Sequence, residues 1–339
     1  MKTLIIRTDS LGDFYVTIPY INCLTRIYGK KNVDVVVKKH IYSHIKKKNF
    51  LYNKLYSFPE RGIFERIYLL LKLRKQKYKQ LIIFDGKDRS IILSKFLNIN
   101  KIYHTYPQTK SNYLTNLLFS KKYISFLDNR IIPLKDLYKK IFNEIGIKII
   151  KKDYKILLFK NIKRINIFKN ENIGTKKFTH IHVDEKWFPN FYIRKFTNIS
   201  PNIKDFYLFL RKIIITKKTN LIITTGTIEL PFIKNISNRY FNVKDKGYFC
   251  LKVGKFKAIL FNKISIEDLE IITMNANNLI ACQGAITQIA ASFNVNLMDI
   301  LERSQEKWYF RHTSHIKKYN KLYRKNFKKL SKEIILKIK

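Results

Sequence analysis

Acidic residues are scarce in this chain of 339 residues: 24 Asp and Glu stand against 68 Lys and Arg, a formal net charge of +44. Cysteine is scarcer still. Cys23, Cys250 and Cys282 are odd in number and far apart, which makes neither a disulfide framework nor a zinc site and suits a reducing compartment. No apolar run approaches the ~18 residues needed to span a bilayer. Leu4-Ile5-Ile6 is cut short by Arg7 and Asp9, too soon for the core of a signal peptide. Together these absences point to the cytoplasm. Gly (10), Pro (7) and Trp (2) are also few, whereas Lys, Ile, Asn, Phe and Tyr abound, as A/T-rich codons would dictate.

A field of this sign attracts any polyanion, so nucleic acid is one candidate partner. The lysines, however, run along the whole chain and form no concentrated recognition motif. No dedicated nucleic-acid binding is therefore expected, and an anionic membrane surface or glycolipid is the better match to the charge. A hydrophobic fraction of 46% with 14% aromatics describes a folded chain, long enough for two domains with cores of their own.

The stretch Thr3-Leu4-Ile5-Ile6-Arg7-Thr8-Asp9-Ser10-Leu11-Gly12-Asp13 reads as a strand, a polar turn, and a helix from about Phe14. Open α/β domains begin this way, and their ligands bind at the carboxyl ends of the strands. Arg7, Asp9, Ser10 and Asp13 would then rim a cleft, with Asp13 near the positive end of a helix dipole. On spacing alone, Ser10 and Asp13 serve equally as helix caps.

Strands alternate with helices through the rest of the first half, at 33–37, 55–58, 81–86 and 101–106 against 63–75, 89–97 and 134–145. That alternation predicts a parallel, doubly wound sheet. The helix over 63–75 carries Ile63, Ile67, Leu70 and Leu71 at helical spacing. Asp85 ends a strand, but Asp followed by Gly is first of all a turn. Residues 147–177 hold no sustained period, so the domain boundary falls near 165, dividing the chain into 1–165 and 166–339.

In the second half, 178–183, 221–226 and 257–261 read as strands and 202–212 as a helix, with another starting at 227. Ser265 with Asp268 makes a capping box for a helix through Met274. Residues 278–291 form a strand, a small-residue turn and an alanine-rich helix, whose first backbone N–H groups can cradle a phosphate. His180 and His182 share one strand face without a third ligand, and His312 and His315 are too few for a metal site. Residues 316–339 read as a basic amphipathic helix with ten Lys or Arg and one Glu. Such a helix can lie on an anionic inner leaflet or pack back onto the fold.

Arg7-Thr8-Asp9-Ser10-Leu11-Gly12-Asp13, followed by Thr17-Ile18-Pro19, resembles the opening of the glycosyltransferase family 9 enzymes, the lipopolysaccharide heptosyltransferases. Their first strand leads into an Arg-x-Asp-x-x-Gly-Asp turn and a helix reading Thr-x-Pro. The resemblance implies that Asp13 is the general base, with Arg7, Asp9, Ser10 and Gly12 on the acceptor side of the cleft. It also implies an acceptor-contacting loop, for which residues 111–123 are the counterpart.

Lys186-Trp187-x-Pro189 resembles the family's Lys-x-Trp-Pro element, whose lysine contacts the donor's phosphates, although here Trp directly follows Lys. A lysine at a strand's carboxyl end suits that task as a mobile point charge. Glu229 lies where the family can place an acidic residue on the donor's ribose. Residues 278–291 resemble the Asp-Ser/Thr-Gly-x-x-His signature and its alanine-rich helix. Cys282 and Gln283 replace the first two residues, and Thr287 or Gln288 stands at the histidine. On this resemblance Gln283, Gly284, Ala285, Thr287 and Gln288 join Lys186 and Glu229 as donor-binding residues.

The fold implied is GT-B, an α/β architecture of two Rossmann-like doubly wound domains facing a cleft. The chain contains no Asp-x-Asp pair to hold a metal–diphosphate complex, so an inverting, metal-independent transfer without a cofactor is expected. The donor would be a nucleotide-sugar such as ADP-heptose. The acceptor would be an anionic glycolipid of the lipopolysaccharide type, reached in the cytoplasm or from the inner face of the membrane. The departures at 282–288 keep open a non-catalytic member that binds nucleotide or glycan, and a basic nucleic-acid-binding protein is the third reading.

Overall fold

The structure, a computed structural model, describes residues 1–46, 51–107, 123–155, 171–174, 177–188, 196–244 and 247–338. The boundary expected near 165, Pro189, and all of the expected acceptor segment except its last residue, Tyr123, lie outside these residues. The chain divides into two compact units, one of Met1–Lys160 with Phe310–Ser314, the other of Asn161–Tyr309 with His315–Lys339.

The first unit is built on β1 (Thr3–Arg7), whose five residues are all buried. Such an uninterrupted apolar run suits a parallel strand covered on both faces. β1 is followed by α1 (Leu11–Tyr28), β2 (Val33–Lys38), α2 (Lys39–Ile45), β3 (Leu55–Phe58) and α3 (Ile63–Arg74). Next come β4 (Gln80–Ile83), α4 (Asp88–Lys95), β5 (Lys101–Pro107), β6 (Tyr123–Asp128) and α5 (Leu134–Glu144). The six strands lie in the order β3-β2-β1-β4-β5-β6, every pair parallel. The strand order reverses between β1 and β4, which places the ligand crevice of such a sheet at their carboxyl ends.

Two elements of this unit differ from expectation. α1 starts at Leu11 rather than near Phe14, because Ser10 takes the extended conformation of an N-cap and Asp13 reaches back to it. α3 forms where its periodicity places it, yet it buries Leu69 and Leu73. Of the expected set, Ile63, Ile67 and Leu71 are exposed, and Leu70 packs half-buried against the core that Leu69 and Leu73 join.

The second unit holds β7 (Phe178–His182), α6 (Ile203–Lys217), β8 (Asn220–Thr224), α7 (Pro231–Tyr240), β9 (Asn242–Lys244), β10 (Tyr248–Val253) and β11 (Phe256–Phe261). α8 (Ile266–Asn275), β12 (Asn278–Cys282), α9 (Ala285–Ser292), β13 (Asn296–Leu301), α10 (Glu306–Thr313), β14 (Tyr319–Tyr323) and α11 (Phe327–Lys337) follow. The sheet order is β14-β13-β12-β7-β8-β11-β10-β9. β9, β10 and β11 pair antiparallel and the remaining neighbours parallel, a Rossmann-like sheet with an antiparallel edge.

α7 begins at Pro231, not at residue 227, since Pro is preorganised for the first helical position. The single helix expected over 316–339 is a strand and a helix. Residues 319–323 pair with β13, and Asn326 caps α11 by accepting from Lys328 N–H. Phe327, Leu330, Ile334, Ile335 and Ile338 join the core formed with Phe206, Phe209 and Leu210. Of the two roles open to the terminal helix, packing back onto the fold is the one adopted. Among the described residues, no helix is long and apolar enough to cross a membrane.

Candidate active site

At the carboxyl end of β1 the Arg7 side chain is almost fully buried. Its Nη1 donates to the Phe84 carbonyl and, at 2.8 Å, to the Tyr138 hydroxyl. Its Nε lies 3.4 Å from Asp9 Oδ2 and its Nη2 3.4 Å from Asp13 Oδ1. Burial works to lower the pKa of this guanidinium, but Tyr138, Asp9, Asp13 and Asp85 outweigh it and raise it. Arg7 is therefore a fixed cation beneath two carboxylates.

Asp13 stands in the first turn of α1, where Ser10 Oγ donates to its Oδ2 at 2.7 Å. Burial pushes its pKa up, but Arg7 foremost, with His312 and Ser10, brings it below the ordinary carboxylate value. His312 Nδ1 lies 3.8 Å from Asp13 Oδ1. Burial pushes this imidazole down to about 4, so it is neutral at pH 7. Asp9, paired with Lys87 and Arg7, is raised by burial despite those cations. Of the two roles that spacing left open for Asp13, the helix brace is made by its Oδ2, which accepts from Ser10, while its Oδ1 faces Arg7 and His312.

Asp85 does the work of a turn. Its Oδ2 accepts from Thr8 N–H at 2.9 Å, Thr8 Oγ at 2.7 Å and Ser90 Oγ at 2.8 Å, and its Oδ1 accepts from Lys87 N–H at 3.1 Å. Arg89 Nε donates to Thr8 Oγ at 2.9 Å. The turns after β1 and β4 are thus locked together and hold Arg7 and Asp9 in place.

In the second unit, β7 runs into a single 3₁₀ turn, Glu185–Trp187, capped by Asp184. Lys186 Nζ donates to Asp184 Oδ2 at 2.9 Å. Burial would lower the ammonium's pKa, but Asp184 outweighs it and raises it. A Cβ built on Gly284 would stand 3.1 Å from Lys186 Nζ, so the ammonium reaches the turn between β12 and α9. Arg324 donates to the Lys186 carbonyl, to the Thr197 carbonyl at 2.8 Å and to Cys282 Sγ at 3.7 Å. It thereby fixes the backbone of one element and the side chain of the other.

Beneath the β12–α9 turn, Gly284 N–H donates to Thr287 Oγ at 3.0 Å, and Thr287 Oγ lies 3.5 Å from Asp299 Oδ1. Tyr319 donates to Asp299 Oδ2 at 2.8 Å. Burial pushes Asp299 up to about 7, against Tyr319, Lys186 and Thr287, which lower it. Thr287 and Gln288 are 0% and 2% exposed, so they face inward, and Thr287 shapes the turn from within. The expected amide cradle shrinks, because the Gly284 N–H is already engaged. Ala285 and Ile286 carry first-turn amides that a helix leaves without an i−4 partner. Gln283 is half-buried at the mouth of the turn, and Glu229 is exposed in the loop before α7.

His180 and His182 share the hydroxyl of Thr224, at 2.8 and 3.0 Å, and burial lowers both pKa values, His182 to about 4. Sequence reasoning missed His312, Tyr138, Asp184, Asp299 and Arg324. Each comes to its site from a strand, turn or helix with no motif of its own. A cation set against a helix N-terminus is a site for a phosphate or diphosphate. A carboxylate held ionised by a buried guanidinium can accept a proton.

No family model matches the sequence, and no curated protein matches it. Solved structures do share its fold. A glycosyl transferase family 9 protein from Veillonella parvula DSM 2008 aligns with a TM-score of 0.65 at 13% identity, covering 100% of this chain and 90% of that one. An E. coli heptosyltransferase solved with ADP aligns with a TM-score of 0.64 at 11% identity, covering 98% and 99%. An E. coli ADP-heptose lipopolysaccharide heptosyltransferase II aligns with a TM-score of 0.65 at 12% identity, covering 99% and 97%. These likenesses bear out the two Rossmann-like units of the expected GT-B fold.

Proposed function

We propose that this protein is an inverting glycosyltransferase of the family 9 type that uses a nucleotide-diphosphate sugar as donor. The observation that carries this reading is the approach of Lys186 Nζ to the Gly284 turn, which joins a cation to the first amides of α9 in one anion site. Lys186, Ala285 and Ile286 bind the donor's diphosphate, Gln283 lies at its edge, and Glu229 is the candidate for its ribose. Structural neighbours solved with ADP and with an ADP-heptose analogue support a nucleotide-sugar donor, and ADP-heptose is the proposed member of that class. A glycolipid acceptor on the cytoplasmic side fits the basic surface.

In this mechanism Asp13 takes the proton of an acceptor hydroxyl as its oxygen bonds to the anomeric carbon. The bond from that carbon to the diphosphate oxygen breaks, and the departing charge is met by Lys186 and the α9 amides. Arg7 keeps Asp13 ionised for this purpose, and His312, neutral, adds no competing charge.

The test is a thermal-shift panel of ADP-, UDP-, GDP- and CMP-linked sugars on the wild type and on Lys186→Ala. A stabilisation by one nucleotide class that the variant loses supports the site and names the base. A flat panel, or a shift that survives in Lys186→Ala, overturns the donor site. Binding without turnover is the second reading, favoured by Cys282, Gln283 and the engaged Gly284 amide. Donor binding with neither transfer nor hydrolysis would establish it.

A further inference from the structure

An amphipathic surface helix normally turns its apolar stripe inward; α3 carries two. Leu69 and Leu73 pack into the core. Ile63, Phe64, Ile67, Tyr68 and Leu71, at positions i, i+1, i+4, i+5 and i+8, form a second stripe on nearly the opposite side of the helix. All five are exposed, Phe64 by 81% and Ile63 by 68%. Ile92 of α4 and Phe96 just past its end are exposed as well. Arg74 Nε donates to the Phe96 carbonyl at 2.7 Å, so the C-terminal ends of the two helices are joined.

The rim of this stripe is cationic. Lys72 Nζ lies 4.1 Å from the centre of the Tyr68 ring, and Arg74 and Lys75 are exposed at the same end. A groove of about 1020 Å³ adjoins it, lined by Lys39, Lys54, Arg61 and Lys72. The local acids offer little opposition. Glu60 pairs with Lys38 at 3.5 Å, and the Glu65 carboxylate lies back over Gly62 at the helix start.

We propose that the outer face of α3 docks on an anionic phospholipid bilayer, its apolar stripe entering the acyl boundary while Lys72, Arg74 and Lys75 meet the headgroups. Charge complementarity selects this occupant: aromatic and aliphatic side chains ringed by lysine and arginine match an interface that is apolar below and anionic above. The inference stands independently of the transferase reading. A net charge of +44 would press many faces against such a membrane, and the stripe makes α3 the face that enters it.

The test labels the full chain at a single new cysteine with an environment-sensitive fluorophore, since Cys23, Cys250 and Cys282 are all buried. Phe64→Cys reports on α3, and Ile215→Cys on α6, exposed in the other unit, is the control. Vesicles are phosphatidylcholine alone or with about 30% phosphatidylglycerol. The expected result is a blue shift at position 64 with the anionic vesicles and none at 215. Vesicle co-sedimentation of Phe64→Glu/Ile67→Glu should fall roughly tenfold or more with the melting temperature kept. Equal responses at both labels, or none at 64, would overturn the proposal. So would a shift at 64 that grows with protein concentration in the absence of vesicles, which assigns the face to a second copy of this chain.

Discussion

Lys186 Nζ lies 3.1 Å from the point where a side chain on Gly284 would begin. The backbone at Gly284 is extended, with φ at 178°, so glycine is needed there for the approach and not for its conformational freedom. Gly284→Ala should therefore fold normally, with a melting temperature within about 2 °C of wild type. Its affinity for the nucleotide-sugar, measured by titration calorimetry, should fall about threefold to tenfold, since the ammonium must yield by a few tenths of an ångström. Gly284→Val should lose more. Unchanged affinity in both would mean that the ammonium serves equally well elsewhere.

Asp13→Asn should lower turnover by about 10²- to 10⁴-fold while the donor-induced thermal shift persists. The pKa of Asp13 is lowered, chiefly by Arg7, so the acid limb of the rate profile should lie below the usual carboxylate value of about 3.9. A limb above that value would assign the proton acceptor to another group.

Asp299 titrates near pH 7 in the folded protein but near ~3.9 when unfolded. Below about pH 7 the folded state takes up a proton that the unfolded state does not, so this group adds stability as pH falls from 8 toward 4. His182 and His312, both lowered to about 4, act in the opposite sense below their ordinary value. The informative quantity is the difference from Asp299→Asn. The variant's advantage in denaturant midpoint should be greatest at pH 8 and shrink by pH 5. A difference constant across that range would mean that Asp299 stays ionised.

Arg311 Nη2 donates to both oxygens of Asp128, at 2.7 and 2.9 Å, and its Nε donates to the Ile132 carbonyl at 3.2 Å. Arg311→Ala strands a carboxylate that is only partly open to water. It should cost the first unit about 2–3 kcal/mol, read as faster amide exchange in β6 with exchange in β12 unchanged. Lysine should restore little of this, since one ammonium cannot reproduce the planar fork.

The order of β1, the polar turn and α1 could be read directly, because an apolar strand, a serine cap and a first-turn carboxylate all act within a dozen residues. Much of the remaining strand and helix alternation was legible for the same reason. Periodicity also located α3 correctly and mistook its inner face, since it reports that apolar residues share a side and not which side meets the sheet. Leu322 looked helical among its neighbours, yet pairing with β13 overrode that local pattern and made residues 319–323 a strand. His312 and Asp299 carried no signal at all. Their roles come from burial and from partners on other elements, Asp13 near the start of the chain for His312 and Tyr319 on the neighbouring strand for Asp299, which no local spacing encodes.

Residues Phe310–Ser314 count with the first unit, and through them Asp128 gains Arg311 and Asp13 gains His312. On the ribosome, about 150 residues must still be made after residue 160 before that segment emerges, on the order of ten seconds or more at usual elongation rates. During that interval the first sheet has all six strands but neither of these partners. The unit that begins the chain is therefore among the last parts of the protein to mature, and expressing residues 1–160 alone would yield a sheet with an unfinished site.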